Sequence, residues 1–280
     1  MREQRKRRLG EHGLTIRSRF GDFSGPVNAL TTDEVTAPVD VLILTCKAYD
    51  LASAIEAIWP AVGPGTAILP LLNGLAHIEV LNGAFGRERV LGGLAKIAVT
   101  LTPDGVIQHL NDWRFLTFGE QDGVVSARVA ALKAAFDRTS VLATASPDVT
   151  QAMWEKIVHL ATAAGMTCLM RANAGEIFRA DGGAQLLLRF LEANAAIAAK
   201  AGHPPSEAFM AEYRGVFSDA GSASTASMLR DLERGGPVEA DHILGDMLAR
   251  ARAHGQDDTL HAIAYAHLKA YEQRRAAERL

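Results

Sequence analysis

The chain has 280 residues, 48% of them hydrophobic, two cysteines and a formal net charge of −3. That length supports two domains of ordinary size, each with its own core, and the charge balance argues against a general nucleic-acid-binding surface. No uncharged apolar run reaches the roughly 18 residues a membrane span needs, so the expectation is a cytoplasmic protein without membrane or nucleic-acid partners.

"REQRKRR" (Arg2 to Arg8) reads as a solvated basic helix face. It lacks the apolar stretch of a secretory signal, and Glu3 interrupts a transit-peptide pattern. "VDVLILTCK" (Val39 to Lys47) is a near-continuous apolar run, as a parallel strand covered on both faces would be. "LASAIEAIWPAV" follows as a helix, "TAILPLLNG" (Thr66 to Gly74) as the next buried strand and "AHIEVLNGAF" as a second helix. After "RVLGGLAKIAVTL", "TPDG" (Thr102 to Gly105) places proline and glycine where a turn wants them. "VIQHL" and "RFLTFGE" then complete an antiparallel edge. Beyond residue 147 the strand pattern stops. Helices are predicted near 148–169, 184–201, 206–217, 239–254 and 258–277, with Pro237 at the start of the fourth and Gly255 as its C-terminal cap.

The expected architecture is therefore an α/β domain over residues 1–146, an incomplete Rossmann-like unit with a mostly parallel sheet, joined to an all-α domain over 147–280. It is incomplete because no G-x-G-x-x-G appears in the first half, although a nucleotide-binding sheet should open with that strand, turn and helix.

Few residues stand out for chemistry. "MWEKIVHLATAAGM" is apolar nearly all round from Ile157, yet Lys156 precedes that run. A buried ammonium needs a partner, and the plainer alternative is that it snorkels out at the helix end. Glu239 falls at the border of the stripe formed by Ile243, Leu244, Met247, Leu248 and Ala251, beside packed structure rather than inside it. Compensation of the helix dipole explains an acid there equally well. Ser227 suits an N-cap. Lys47 and Asn73 each follow a buried strand, where open sheets bind ligands, although Asn73-Gly74 also suits a tight turn. His12, His77, His109, His159 and His203 are scattered, Cys46 and Cys168 resemble small core hydrophobes, and no metal or hydrolase motif is present.

Taken together, "GLTIRSRFGDF", "TCKAYD", "LLNGL", "TPDGVIQH", "WEKIV", "SMLRDLERGGPVEAD" and "ARARAHG" resemble the ketopantoate reductase (2-dehydropantoate 2-reductase) family over essentially the whole chain. The resemblance implies an N-terminal Rossmann domain for NADP(H), a helical C-terminal domain and the site in the cleft between them; a homodimer is expected because the missing strands would leave unpaired sheet edges. It implies NADPH-dependent reduction of a 2-oxoacid, in the simplest case ketopantoate to pantoate in pantothenate synthesis. Lys156 matches the general acid, and Glu239 the carboxylate that holds the lysine and the cofactor ribose. Ser227 matches the ligand of the substrate carboxylate, Asn73 a contact to substrate and nicotinamide, and Lys47 a residue lining the cofactor cleft. Arg2 aligns with the basic residue for the 2′-phosphate.

Two departures accompany the match. The glycine-rich unit is absent, as if roughly thirty residues, the size of one βαβ unit, were missing. An upstream start, a shortened chain and lost cofactor binding all account for that. The asparagines found four and eight residues after the lysine in better-known members are here Leu160 and Ala164, which points to a bulkier or less polar 2-oxoacid. The competing expectations are a catalytically silent binding protein and a dehydrogenase using a histidine–carboxylate pair, for which no placed histidine is evident.

Overall fold

In a computed structural model, residues 3–279 are described. The chain divides into two compact units, Met1–Leu72 with His77–Val149 and Asn73–Ala76 with Thr150–Leu280.

The first unit begins with helix α1 (Glu3–His12), mostly exposed apart from Leu9, and the hairpin β1 (Leu14–Arg17) and β2 (Phe23–Gly25). There follow β3 (Val41–Leu44), α2 (Leu51–Ile58), β4 (Ala67–Pro70), α3 (Ala76–Phe85), β5 (Gly92–Leu101), β6 (Ile107–Gly119), α4 (Ala127–Phe136) and β7 (Leu142–Ala145). β3 pairs with β4 in parallel, and β6 pairs in parallel with β1 and β7 but antiparallel with β5. The sheet arrangement is mixed, with helices interspersed. β4 shows why its sequence is apolar at every position: Ile68 packs among Leu44, Leu51, Leu81 and Phe85, while Ala67 and Leu69 pack among Leu116, Phe118 and Val129. Both faces of the strand are covered, as a parallel strand requires. The predicted "TPDG" turn is present, with Gly105 at φ +83 and its N–H donating to Thr102 O at 2.9 Å. "VIQHL" and "RFLTFGE" fall in one strand, β6, antiparallel to β5 on both segments with a register shift between them, where the Trp113 N–H meets the Asn111 side chain at 3.1 Å.

The second unit is helical: α5 (Val149–Met170), α6 (Ala174–Arg179), α7 (Gly183–Lys200), α8 (Glu207–Phe217), α9 (Ser227–Glu233), α10 (Asp246–Ala253) and α11 (Thr259–Ala276). α6 was not expected, although Asn173 and Glu176 form a full capping box at its start. The fourth predicted helix opens with a π turn, Asp241–Gly245, ahead of α10. It ends as expected: Gly255 has φ +61, and Gly255 and Gln256 donate to Arg252 O and Ala251 O, a Schellman closure. α5 comes close to its neighbours at Gly165, where a Cβ would lie 2.3 Å from the Phe190 ring and 3.4 Å from Leu244. Gly165→Ala should destabilise this unit by about 2 kcal/mol through overpacking, read as a lowered thermal midpoint; an unchanged midpoint would show that Phe190 can yield.

Candidate active site

Lys156 sits in the second turn of α5, at the edge of the apolar run. It is half-buried and does not merely snorkel: Nζ donates to Asn73 Oδ1 at 3.0 Å. Asn73 is brought there by the bend after β4, where Gly74 adopts φ +92, a conformation glycine takes without strain. A second constraint also demands glycine. A Cβ on Gly74 would stand 2.7 Å from the His242 carbonyl oxygen and 3.2 Å from its ring carbon Cδ2. The Asn73-Gly74 bend is thus pressed between the Lys156 ammonium and the π turn.

Glu239 precedes that turn by two residues, and its carbonyl accepts from Ile243 at 3.2 Å. At 5% exposure it is buried, not at the border of the stripe as periodicity suggests. It stands just ahead of the helix, where a 3.6-residue projection from the stripe does not decide which residues are covered.

His242 is the residue that sequence reasoning misses. Burial pushes its imidazole below the ordinary value, while the carboxylates of Glu239, Asp246 and Asp241 act in the opposite direction. A histidine does therefore stand near a carboxylate. The only signal for it is its place three residues after Glu239, which has no meaning until the π turn is known. His159, one turn after Lys156, stacks on Tyr213 with ring centroids 4.4 Å apart.

Ser227 lies further along the length of α5 from Lys156. It is the first residue of α9, and the N–H of its neighbour Ala226 points at Thr167 Oγ1 at 3.4 Å. Thr167 lies about 16 Å beyond Lys156 along the α5 axis. Between them, on the same line of α5, are Leu160 and Ala163, both half-buried, with Ala164 fully buried beside them. The Thr167 hydroxyl is engaged by Ala163 O at 2.7 Å. Lys47 belongs to the other unit, where it ends the β3 run and precedes the 3-10 turn Ala48–Asp50. Arg2 lies outside the described residues. Cys168 is buried, which pushes its thiol up to about 12 and leaves it a core residue, not a nucleophile. Among the described residues no cluster able to hold a metal occurs, and no helix is long and apolar enough to cross a membrane.

A half-buried ammonium on an amide oxygen, with a buried carboxylate at the adjoining turn, is a set suited to proton transfer. The sequence matches "Ketopantoate reductase PanE/ApbA" over residues 1–123 and the C-terminal region of that family over 148–272. The chain belongs to the ketopantoate reductase family. It is 31% identical over 272 residues to the oxidoreductase YkpB of Bacillus subtilis (strain 168), covering 97% of this chain and 89% of that one. It is 29% identical over 248 residues to the 2-dehydropantoate 2-reductase of Halobacterium salinarum, covering 88% and 81%. Among solved structures, the 2-dehydropantoate 2-reductase of Methylococcus capsulatus is 28% identical with a TM-score of 0.84, over 96% of this chain and 86% of that one. The chain is an oxidoreductase of this family, whose fold is that of NAD(P)-dependent enzymes.

Proposed function

We infer that this ketopantoate reductase family member reduces the keto group of a 2-oxoacid with NADPH, with Lys156 as the general acid. The observation that carries this reading is the 3.0 Å bond from Lys156 Nζ to Asn73 Oδ1. Hydride addition to a carbonyl carbon leaves an alkoxide, and the group that meets it must supply positive charge and then a proton. An ammonium has three donors. The neutral amide of Asn73 orients one of them. After transfer, Lys156 recovers its proton from solvent. Glu239, buried beside this turn, is assigned the holding of the lysine and of the cofactor ribose.

A reduced nicotinamide supplies the hydride when bound. The described residues fit such a cofactor in part. Lys47 places a cation at the carboxyl end of a parallel strand, where nucleotides bind in open sheets, but no glycine-rich turn there cradles a pyrophosphate. Assignment of the substrate carboxylate to Ser227 rests on the family resemblance and gains no support from its position.

Ketopantoate is the substrate named for the relatives. The side chains that follow Lys156 along α5, Leu160 and Ala164, offer nothing to its hydroxyl and favour a less polar side chain. With NADPH consumption as the assay, kcat/KM for 4-methyl-2-oxopentanoate should exceed that for ketopantoate by about tenfold, the scale of discrimination an apolar pocket affords. Equal or better turnover of ketopantoate would make pantoate formation the activity. No consumption with either acid would leave the silent binding protein as the reading.

A further inference from the structure

The π turn that adjoins this site is itself gripped. Such turns displace helix hydrogen bonds and persist where their surroundings hold them. At one end, Tyr265 Oη of α11 donates to Asp241 Oδ1 at 2.6 Å. Lys269 Nζ, one turn further along α11, reaches both Asp241 oxygens at 3.1 Å and Glu272 at 2.5 Å. At the other end, the Tyr265 ring closes on Gly245, where a Cβ would stand 3.0 Å from ring carbon Cε2. One side chain therefore clasps both ends of Asp241–Gly245. Between those ends, the His242 carbonyl and ring meet Gly74, and the preceding residue is the partner of Lys156. The chain of contacts from Tyr265 to Asn73 runs mainly through backbone, which yields less than a flexible side chain.

We propose that Tyr265 and Asp241 are positioning residues for the site: they fix the π turn, and the turn sets both Glu239 and the Asn73 amide that orients Lys156. The catalytic consequence rests on Lys156 being the proton donor; the structural link does not. The phenol–carboxylate bond is intact across neutral pH. It holds the Tyr265 phenol above its ordinary value, and the bonds from Tyr265 and Lys269 outweigh burial to keep Asp241 below its own.

Tyr265→Phe keeps the ring on Gly245 and removes only the hydroxyl; Asp241→Asn removes the charge that receives it. For each variant two quantities are read. One is the rate at which an amine-reactive reagent modifies Lys156, followed by peptide mass spectrometry with exposed Lys200 as internal reference. The other is kcat and KM for 2-oxoacid reduction. Both variants should change Lys156 modification by about three- to tenfold, the usual range for coupled neighbours. They should lower kcat by a similar factor with KM little moved. Unchanged Lys156 modification overturns the proposal whatever the thermal midpoint does, because a purely structural role lowers the midpoint alone. Changed modification with unchanged kcat in an active enzyme overturns the positioning role. Should the unaltered chain reduce no 2-oxoacid, the functional reading fails, and modification alone decides the link.

Discussion

Lys156→Ala is expected to lower kcat for 2-oxoacid reduction by about a hundred- to ten-thousandfold, the range spanned by a positioned general acid. KM should change little. An interaction made chiefly with the developing alkoxide is absent from the ground state, so its loss appears in kcat and kcat/KM alike. Lys156→Arg separates charge from proton transfer. It keeps a cation near Asn73, but a guanidinium that does not deprotonate is a poor donor and presents a planar fork in place of a compact ammonium. Arginine should therefore restore only a minor part of the lost rate. Asn73→Ala leaves the ammonium present but removes the amide acceptor that helps to orient it, and should cost less than Lys156→Ala. If Lys156→Ala retained kcat within a few-fold, the lysine would be only a helix-end residue, and the family's chemistry would not run through it here.

Much of the fold is legible from local pattern. The β4 run, the "TPDG" turn and the Gly255 closure each follow from residues a few positions apart, and each is present. What local pattern does not supply is pairing between distant segments. β1 lies parallel to β6 through Ile16 with Ile107 and Arg17 with Gln108, a separation of some ninety residues with no local cue. The polar "NDW" within β6 does mark a break in pairing, because β5 pairs on either side of it, Val99 with His109 and Ile97 with Arg114, and the register shifts between them.

The site divides in the same way. Lys156 and Asn73 are 83 residues apart. Each is noticeable alone, one for its charge beside an apolar run and the other for its place after a buried strand, but nothing local joins them. The family resemblance assigns both to one site but does not pair them. Glu239 shows a different limit: it stands at the helix start, just ahead of a π turn, where the period marks a border and the residue is buried. His242 lies inside that turn, where no constant period applies. Helical periodicity finds a core face only where the helix is regular, and this site is built where it is not.

Acidification should destabilise the helical unit, with the largest part through His261 and a further part through His242 and His267, which burial also holds below the ordinary value. The His261 Nε2 lies 3.0 Å from Asn194 Oδ1. The Asn194 amide spends its donors on Thr162 Oγ1 at 3.1 Å and Phe190 O at 2.9 Å, while Thr162 donates to Val158 O at 2.8 Å. That order makes Nε2 the protonated nitrogen of the neutral ring. Nδ1 is buried without a partner, and the ring stands edge-on to Phe190. A second proton would have no acceptor, so burial lowers the pKa to about 4 despite the nearby carboxylates of Asp258 and Asp257. Because the folded value lies below the unfolded one of about 6.5, the unfolded chain binds the extra proton between them. Stability is thus full above pH 6.5 and falls as pH drops toward 4, by about 3 kcal/mol in all and about 2 kcal/mol by pH 5. Urea unfolding at pH 7.5 and pH 5, followed by helical circular dichroism, should show this difference. His261→Gln can still donate to Asn194 but cannot take up a proton, so it should remove most of the difference while leaving the fold intact. A glutamine variant as acid-sensitive as the parent would place the loss in other groups and leave His261 without a part in it.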